Sequence, residues 1–96
     1  MAKYELPIYG KDEAIIKTHE ANIIPWGIFV NAAELEDKLK DMTAKNQIIA
    51  VQNILKEIFP ELTDEDLLHA DTSDVMNTFL QIVNGGQTIK GGSSKN

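Results

Sequence analysis

The 96-residue chain, with 43% apolar residues, is long enough for one globular domain with a real core, and it has no cysteine for a disulfide or a thiolate metal site. A formal net charge of -6 without any arginine argues against a nucleic-acid partner, which requires a basic face. No apolar run approaches the roughly 20 residues of a membrane-spanning helix, and the N-terminus lacks a secretory signal, so we expect no membrane partner and a cytoplasmic location.

Within residues 3–9, Tyr4, Leu6 and Ile8 should point to one side and Glu5 and Pro7 to the other, a period of two that is typical of a β-strand. Pro7 has no N–H to donate, which favours an edge position for this strand. Gly10 begins a plausible turn, and residues 14–20 contain β-branched side chains. The sequence therefore predicts a β-hairpin over about 3–20, and a short helix in its second half is the competing interpretation.

Four helices are predicted after the hairpin, because apolar residues recur there every three or four positions. Pro25 suits the first turn of the first helix, and Pro60 ends the second. Thr43 and Thr63 stand where their hydroxyls would cap the next two helices, and Thr63 begins a capping-box pattern. The predicted helices cover about 25–41, 44–59, 64–70 and 72–84. The predicted fold is α+β and mostly helical, with a single domain over 1–84.

Residues 85–96 differ in composition from the rest of the chain, because they are rich in glycine and serine. Gly85 and Gly86 are predicted to end the last helix, since glycine suits the left-handed position past a helix. The segment has too little apolar surface to offset the entropy of ordering it, so we predict a flexible tail.

The acidic residues are concentrated in residues 61–74, which contain six acids and no lysine. A calcium-binding EF-hand loop needs oxygen ligands at alternating positions around a central glycine. Here Asp64, Glu65 and Asp66 are adjacent, and no glycine follows them. They suit the first turn of a helix, where the helix dipole stabilises negative charge. The sequence therefore predicts no metal site.

No residue pattern indicates catalysis or a bound cofactor. His19 and His69 are fifty positions apart, and a surface or partly packed role is favoured over a catalytic pair. No serine lies in a nucleophile elbow, and no glycine-rich loop opens a helix as a phosphate cradle does. Asp71-Thr72-Ser73-Asp74 has the wrong neighbours for the cofactor attachment site of an acyl carrier protein. We expect a binding protein that is not an enzyme.

The segment PWGIFV, residues 25–30, is apolar on most sides of the first helical turns. Either the hairpin covers one side and the other helices cover the opposite side, or part of the segment is an exposed patch of the kind that marks binding sites. We favour the covered arrangement. In the exposed alternative the partner-binding residues are Trp26, Phe29 and Val30, and Trp26 or Phe29 is the best candidate for exposure.

Several short strings occur in a characteristic order and spacing. Near the N-terminus they are KYELPIYGKD at 3–12, Lys17-Thr18 and Trp26-Gly27. In the second half they are IFPELTDEDL at 58–67, Ala70-Asp71 and DVMNTF at 74–79. Together they resemble tail assembly chaperones of siphophages that infect Gram-positive bacteria. The resemblance spans about 3–83, and none of the strings is a catalytic motif.

The resemblance implies a role in phage tail assembly. A chaperone of this family binds the tape measure protein, a very long helical chain, keeps it soluble, helps to recruit tail tube subunits in the host cytoplasm, and is absent from the finished virion. The resemblance also implies a longer form, made by ribosomal frameshifting, whose extension binds the tail tube protein, with residues 91–94 as a flexible linker. Apolar chaperone surface can cover helical stripes as helix-in-groove contacts, and many weak sites gain by avidity. A homo-oligomer is left open.

The acidic stretch 61–74 supports an alternative from another class. A phage-encoded acidic regulator would use this stretch to mask a basic surface of a host protein. Such binding weakens steeply with salt, because exposed charges are screened. Binding through apolar surface does not, so the salt dependence separates the two hypotheses.

Overall fold

The computed structural model of the protein describes residues 3–85. A two-stranded antiparallel sheet is followed by four helices and one 3-10 turn. The elements are β1 (Tyr4–Tyr9), β2 (Ile15–Ala21), α1 (Trp26–Lys38), a 3-10 turn (Leu39–Asp41), α2 (Ala44–Ile58), α3 (Asp64–Leu68) and α4 (Thr72–Val83). The predicted α+β, mostly helical fold with an N-terminal hairpin is therefore confirmed. The predicted tail, apart from Gly85, lies outside the described residues.

The hairpin directs the apolar residues of β1 towards the helices. Tyr4, Leu6 and Ile8 are all buried, as their alternation predicted. Residues 15–21 pair with β1 as a strand, so the competing interpretation of a short helix is wrong. Most of β2 is exposed, which makes it the outer strand of the sheet.

The second edge of β1 lies against the chain around α3 and α4. The backbone N–H of Tyr9 donates to the carbonyl of His69 at 3.0 Å, and the hydroxyl of Thr78 donates to the carbonyl of Glu5 at 3.4 Å. Backbone groups of alternate residues face the same edge of a strand. Pro7 therefore faces this edge too, where its missing N–H breaks no hydrogen bond to β2.

The core is formed by residues of β1, α1, α2 and α4 and of the loop between α2 and α3. Its buried apolar residues are Tyr4, Leu6, Ile8, Ala32, Val51, Ile54, Leu55, Ile58, Phe59, Leu62, Phe79 and Ile82. The periodic stripes of the sequence identified most of the helical members. They also included Ile48, Met76 and Leu80, which the structure leaves exposed. The reason is that periodicity identifies the apolar face of a helix and not the extent to which neighbours cover it.

The helix ends follow the local capping rules. The hydroxyl of Thr43 accepts a hydrogen bond from the backbone N–H of Asn46 at 3.2 Å, which confirms it as the cap of α2. Thr63 and Asp66 form the reciprocal capping box of α3. Gly85 follows α4 with a φ of 67°, in the left-handed region that glycine adopts without strain.

Candidate partner-binding surfaces

The start of α1 presents an exposed aromatic side chain. Trp26 is 75% exposed, and its ring lies on that of Phe29 with 5.0 Å between the centroids. Phe29 and Val30 are partly buried. The favoured interpretation, in which two layers cover this segment, is therefore wrong for Trp26. We call these two stacked aromatic residues the Trp26 patch.

The position of Phe29 explains why the Trp26 patch forms. The carbonyl of Pro25 accepts hydrogen bonds from the N–H groups of Ile28 and Phe29, so α1 begins at once after the proline. A Cβ atom at Gly85 would lie 3.7 Å from Cε1 of Phe29, so the end of α4 passes close beside this ring. The ring of Phe29 thus lies near Gly85, just past the end of α4, and also against Trp26, which is left facing solvent.

A second apolar surface is a groove between α2 and α4, which we call the α2–α4 groove. Its volume is about 290 Å³. The lining residues are Leu39, Gln47, Ile48, Val51, Gln52, Leu67, Ala70, Thr72, Val75 and Met76, and none of them carries a charge. Ile48 is 58% exposed and Met76 is 42% exposed, whereas Val51 is buried. The groove is therefore open to solvent, with an apolar floor.

One wall of the α2–α4 groove is held by the partly buried amide of Gln47. The side chain of Gln47 donates hydrogen bonds from Nε2 to the carbonyls of Leu39 and Met42. These bonds tie the 3-10 turn to the first turns of α2. Hydrogen bonds that satisfy partly buried carbonyls also fix geometry, so the position of Leu39 in the wall is set before any partner binds.

The α2–α4 groove has the properties of a site for an apolar helical stripe. Its volume is roughly twice that of a dry cavity of about 150 Å³ that can hold a benzene ring, so about two large apolar side chains fit. Met76 at the rim is unbranched and adapts to irregular partners. Two anchors spaced three or four residues apart on a partner helix would fill the groove.

The acidic stretch contains a charge cluster that the sequence analysis missed. The carboxylate of Asp66 is buried and lies 3.0 Å from Nζ of Lys17 and 2.9 Å from Nε2 of His19. The backbone N–H of Thr63 also donates to it, at 3.4 Å. The hydrogen bonds with Lys17 and then with His19 lower the pKa of Asp66 from 3.8 to about 2.

Three further acids of this stretch have partners within the molecule. The side chain of Asp71 caps α4 and accepts a hydrogen bond from the backbone N–H of Asp74 at 3.2 Å. Asp64 forms an ion pair with Lys56. The hydroxyl of Tyr9 donates to a carboxylate oxygen of Asp74 at 3.2 Å. Burial of the Tyr9 phenol, its hydrogen bond to Asp74 and the charges of Asp74 and Asp71 together raise the pKa of Tyr9. Four of the six acids are thus engaged internally, which leaves less of this charge to contact a basic partner.

The histidines take the roles that the sequence favoured. His19 is partly packed, with its ring centroid 6.2 Å from that of Phe59, and His69 is exposed.

Within residues 3–85, no three acidic or histidine residues are grouped so that they could hold a metal ion. Within the same range, no helix is both long and apolar enough to cross a membrane.

The pairing of β1 with β2 indicates which side chains of β2 need a polar partner such as Asp66. Cross-strand partners share a face of a sheet, so Lys17 opposite Ile8 and His19 opposite Leu6 face the core side. Polar residues on that side require a polar partner. No local pattern identifies Asp66 as that partner, because it is 47 positions from His19. No family model matches the chain, and no curated protein or solved structure matches it either.

Proposed function

We propose that this protein is a tail assembly chaperone that binds apolar helical stripes of a phage tape measure protein and keeps that protein soluble. The observation that carries the proposal is the α2–α4 groove, which is open, uncharged and apolar. The similarity of the sequence strings over about 3–83 to tail assembly chaperones supplies the identity of the client.

A helix in the α2–α4 groove would cover Ile48 and Met76, which are exposed in the free chain. Full burial of one large apolar side chain contributes about 1.5–3 kcal/mol. Association itself costs on the order of 4–15 kcal/mol in lost freedom, so one groove on one stripe binds weakly. Several chaperones along one tape measure chain would together cover it, and each contact stays weak enough to release when the tube assembles.

The net charge of -6 complements this role. Because like charges repel, the negative charge keeps one coated client apart from another and keeps free chaperones apart in solution. The groove lining has no charge, so this repulsion does not oppose the contact with the client. The Trp26 patch gives a second uncharged contact surface for the same client or for a second chaperone copy.

The proposal places the protein in the host cytoplasm before the tail tube polymerises, and outside the mature virion. Recruitment of tail tube subunits belongs to the same role. A frameshifted longer form would provide the tube contact through its extension, with residues 91–94 as a linker. These residues lie outside the described range.

Co-expression with a phage tape measure protein tests the proposal. We expect a higher soluble yield of the tape measure protein and a complex on size-exclusion chromatography that survives high salt. An unchanged yield and no complex would refute the chaperone role. Capture of a basic host protein that is released by salt would instead favour the acidic regulator, because screening weakens only charge-based binding.

A further inference from the structure

The last turn of α4 ends in an asparagine–glycine pair. Asn84 is the C-terminal cap, and its side-chain Nδ2 donates to the carbonyl of Leu80 at 2.6 Å. The backbone N–H of Gly85 donates to the carbonyl of Ile82 at 2.9 Å. Gly85 is exposed, and its φ of 67° places it in the left-handed region. Gly85 is therefore exposed and Asn84 partly exposed, and hydrogen bonds hold both of them.

We propose that Asn84 is a site of spontaneous deamidation and that the cap of α4 controls its rate. The backbone nitrogen of Gly85 loses its proton to base and attacks Cγ of Asn84. A new C–N bond closes a five-membered succinimide, and the side-chain amide leaves as ammonia. Water then opens the ring at either carbonyl and yields aspartate or isoaspartate. Solvent water is the only co-reactant, and no oxidant or reductant takes part.

The residue after the asparagine decides which asparagines can react. Gly85 has no side chain to obstruct ring closure. Asn22 is more exposed than Asn84 but precedes Ile23, whose branched side chain crowds the same step. Reaction of an intramolecular nucleophile depends on reaching the right geometry. Asn84 is therefore the reactive site, and Asn22 is a matched control within the same chain.

The folded cap opposes the reaction because both reacting groups have other partners. The N–H of Gly85 must leave Ile82, and the amide of Asn84 must leave Leu80, before the nitrogen can attack. The ends of helices open locally more easily than a whole domain unfolds. Deamidation should thus proceed through a frayed last turn rather than from the closed cap.

Deamidation would change the end of α4 and the surroundings of Phe29, which lies beside Gly85. An aspartate at position 84 loses the donor to Leu80 and places a negative charge at a helix C-terminus, where the dipole disfavours it. An isoaspartate also adds a backbone carbon next to Gly85. Because Gly85 lies beside Phe29 of the Trp26 patch, the change reaches a proposed contact surface.

Peptide mapping by mass spectrometry of the full chain, aged in mildly alkaline buffer with and without urea, tests the inference. We expect Asn84 to deamidate on the order of tenfold or more faster than Asn22, since only Asn84 precedes glycine. We expect urea to raise the rate at Asn84, relative to Asn22, by roughly tenfold, because two hydrogen bonds no longer hold the cap. Equal rates at the two asparagines would refute the site, and no acceleration in urea would refute control by the cap.

A variant separates this chemistry from general damage. Asn84→Gln keeps an amide at the cap, but its extra carbon would require a six-membered ring, which closes far more slowly. The mass change at this peptide should disappear in Asn84→Gln while Asn22 behaves as before. Persistence of the modification in this variant would overturn the proposal.

Discussion

His19 on β2 and Asp66 in α3 form a packed pair, with 2.9 Å between Nε2 and the carboxylate oxygen. The same carboxylate binds Lys17 and closes the capping box with Thr63. One side chain thus joins the outer strand of the hairpin to the first turn of a helix. β2 has little buried apolar surface. The contacts of Asp66 with Lys17 and His19, rather than apolar packing, therefore hold the inner face of β2 against the rest of the protein.

The first prediction concerns acid stability. The pKa of Asp66 is about 2 in the folded protein and 3.8 ordinarily, so folding favours the ionised form. Its contribution to stability is complete above about pH 4 and is lost as the pH falls towards about 2. In urea unfolding at a series of pH values, Asp66→Asn should be less stable than the wild type at neutral pH. The difference should shrink in acid.

The control for this prediction is Glu65→Gln in the same helical turn. Glu65 is exposed, so its replacement should leave the unfolding free energy nearly unchanged at every pH. If Glu65→Gln and Asp66→Asn show the same dependence on pH, the cluster of Asp66 with Lys17 and His19 does not stabilise the fold.

Local rules account for the part of the fold that the sequence predicted. The capping box of Thr63 and Asp66 spans three residues, and the alternation in β1 is a property of one strand, so both can be recognised in sequence. The pairing of Asp66 with His19 depends on how α3 packs against the sheet, which no local pattern reports. The exposure of Ile48 has the same cause, since its stripe continues into buried residues of α2.

The second prediction uses the exposure of Trp26. Trp26→Ala should change the free energy of unfolding by no more than about 0.5 kcal/mol, as at most surface positions. Leu55→Ala removes a fully buried side chain and should cost about 2–5 kcal/mol. Circular dichroism during urea unfolding measures both, because Trp26 is the single tryptophan and its fluorescence is lost in the first variant. A loss of about 3–5 kcal/mol in Trp26→Ala would instead show that the ring is part of the core.

The third prediction compares two glycines. Gly85→Ala should cost roughly 1–2 kcal/mol, because alanine is strained at a φ of 67°. The added Cβ would lie 3.7 Å from Phe29, an ordinary contact, so sterics add little. Gly27 lies in α1 with nothing within 4 Å of an added Cβ, so Gly27→Ala should stabilise by about 0.5–1 kcal/mol. Thermal unfolding should show opposite shifts, and shifts of the same sign would contradict this account of Gly85.

The last prediction tests where the proposed client binds on the surface of the protein. Ile48 lines the α2–α4 groove, whereas Ile49, which is 44% exposed, follows it on α2 and does not line the groove. Aspartate at either position should leave the fold intact, since both sites face solvent in the free protein. In the complex, Ile48→Asp would bury an unpaired charge against an apolar helix, at a cost of several kcal/mol. Affinity for the tape measure protein should therefore fall at least on the order of a hundredfold in Ile48→Asp and change little in Ile49→Asp.

Titration calorimetry with a tape measure fragment measures both variants. Equal losses would place the contact elsewhere on α2, and the loss of binding in Trp26→Ala alone would move it to the Trp26 patch.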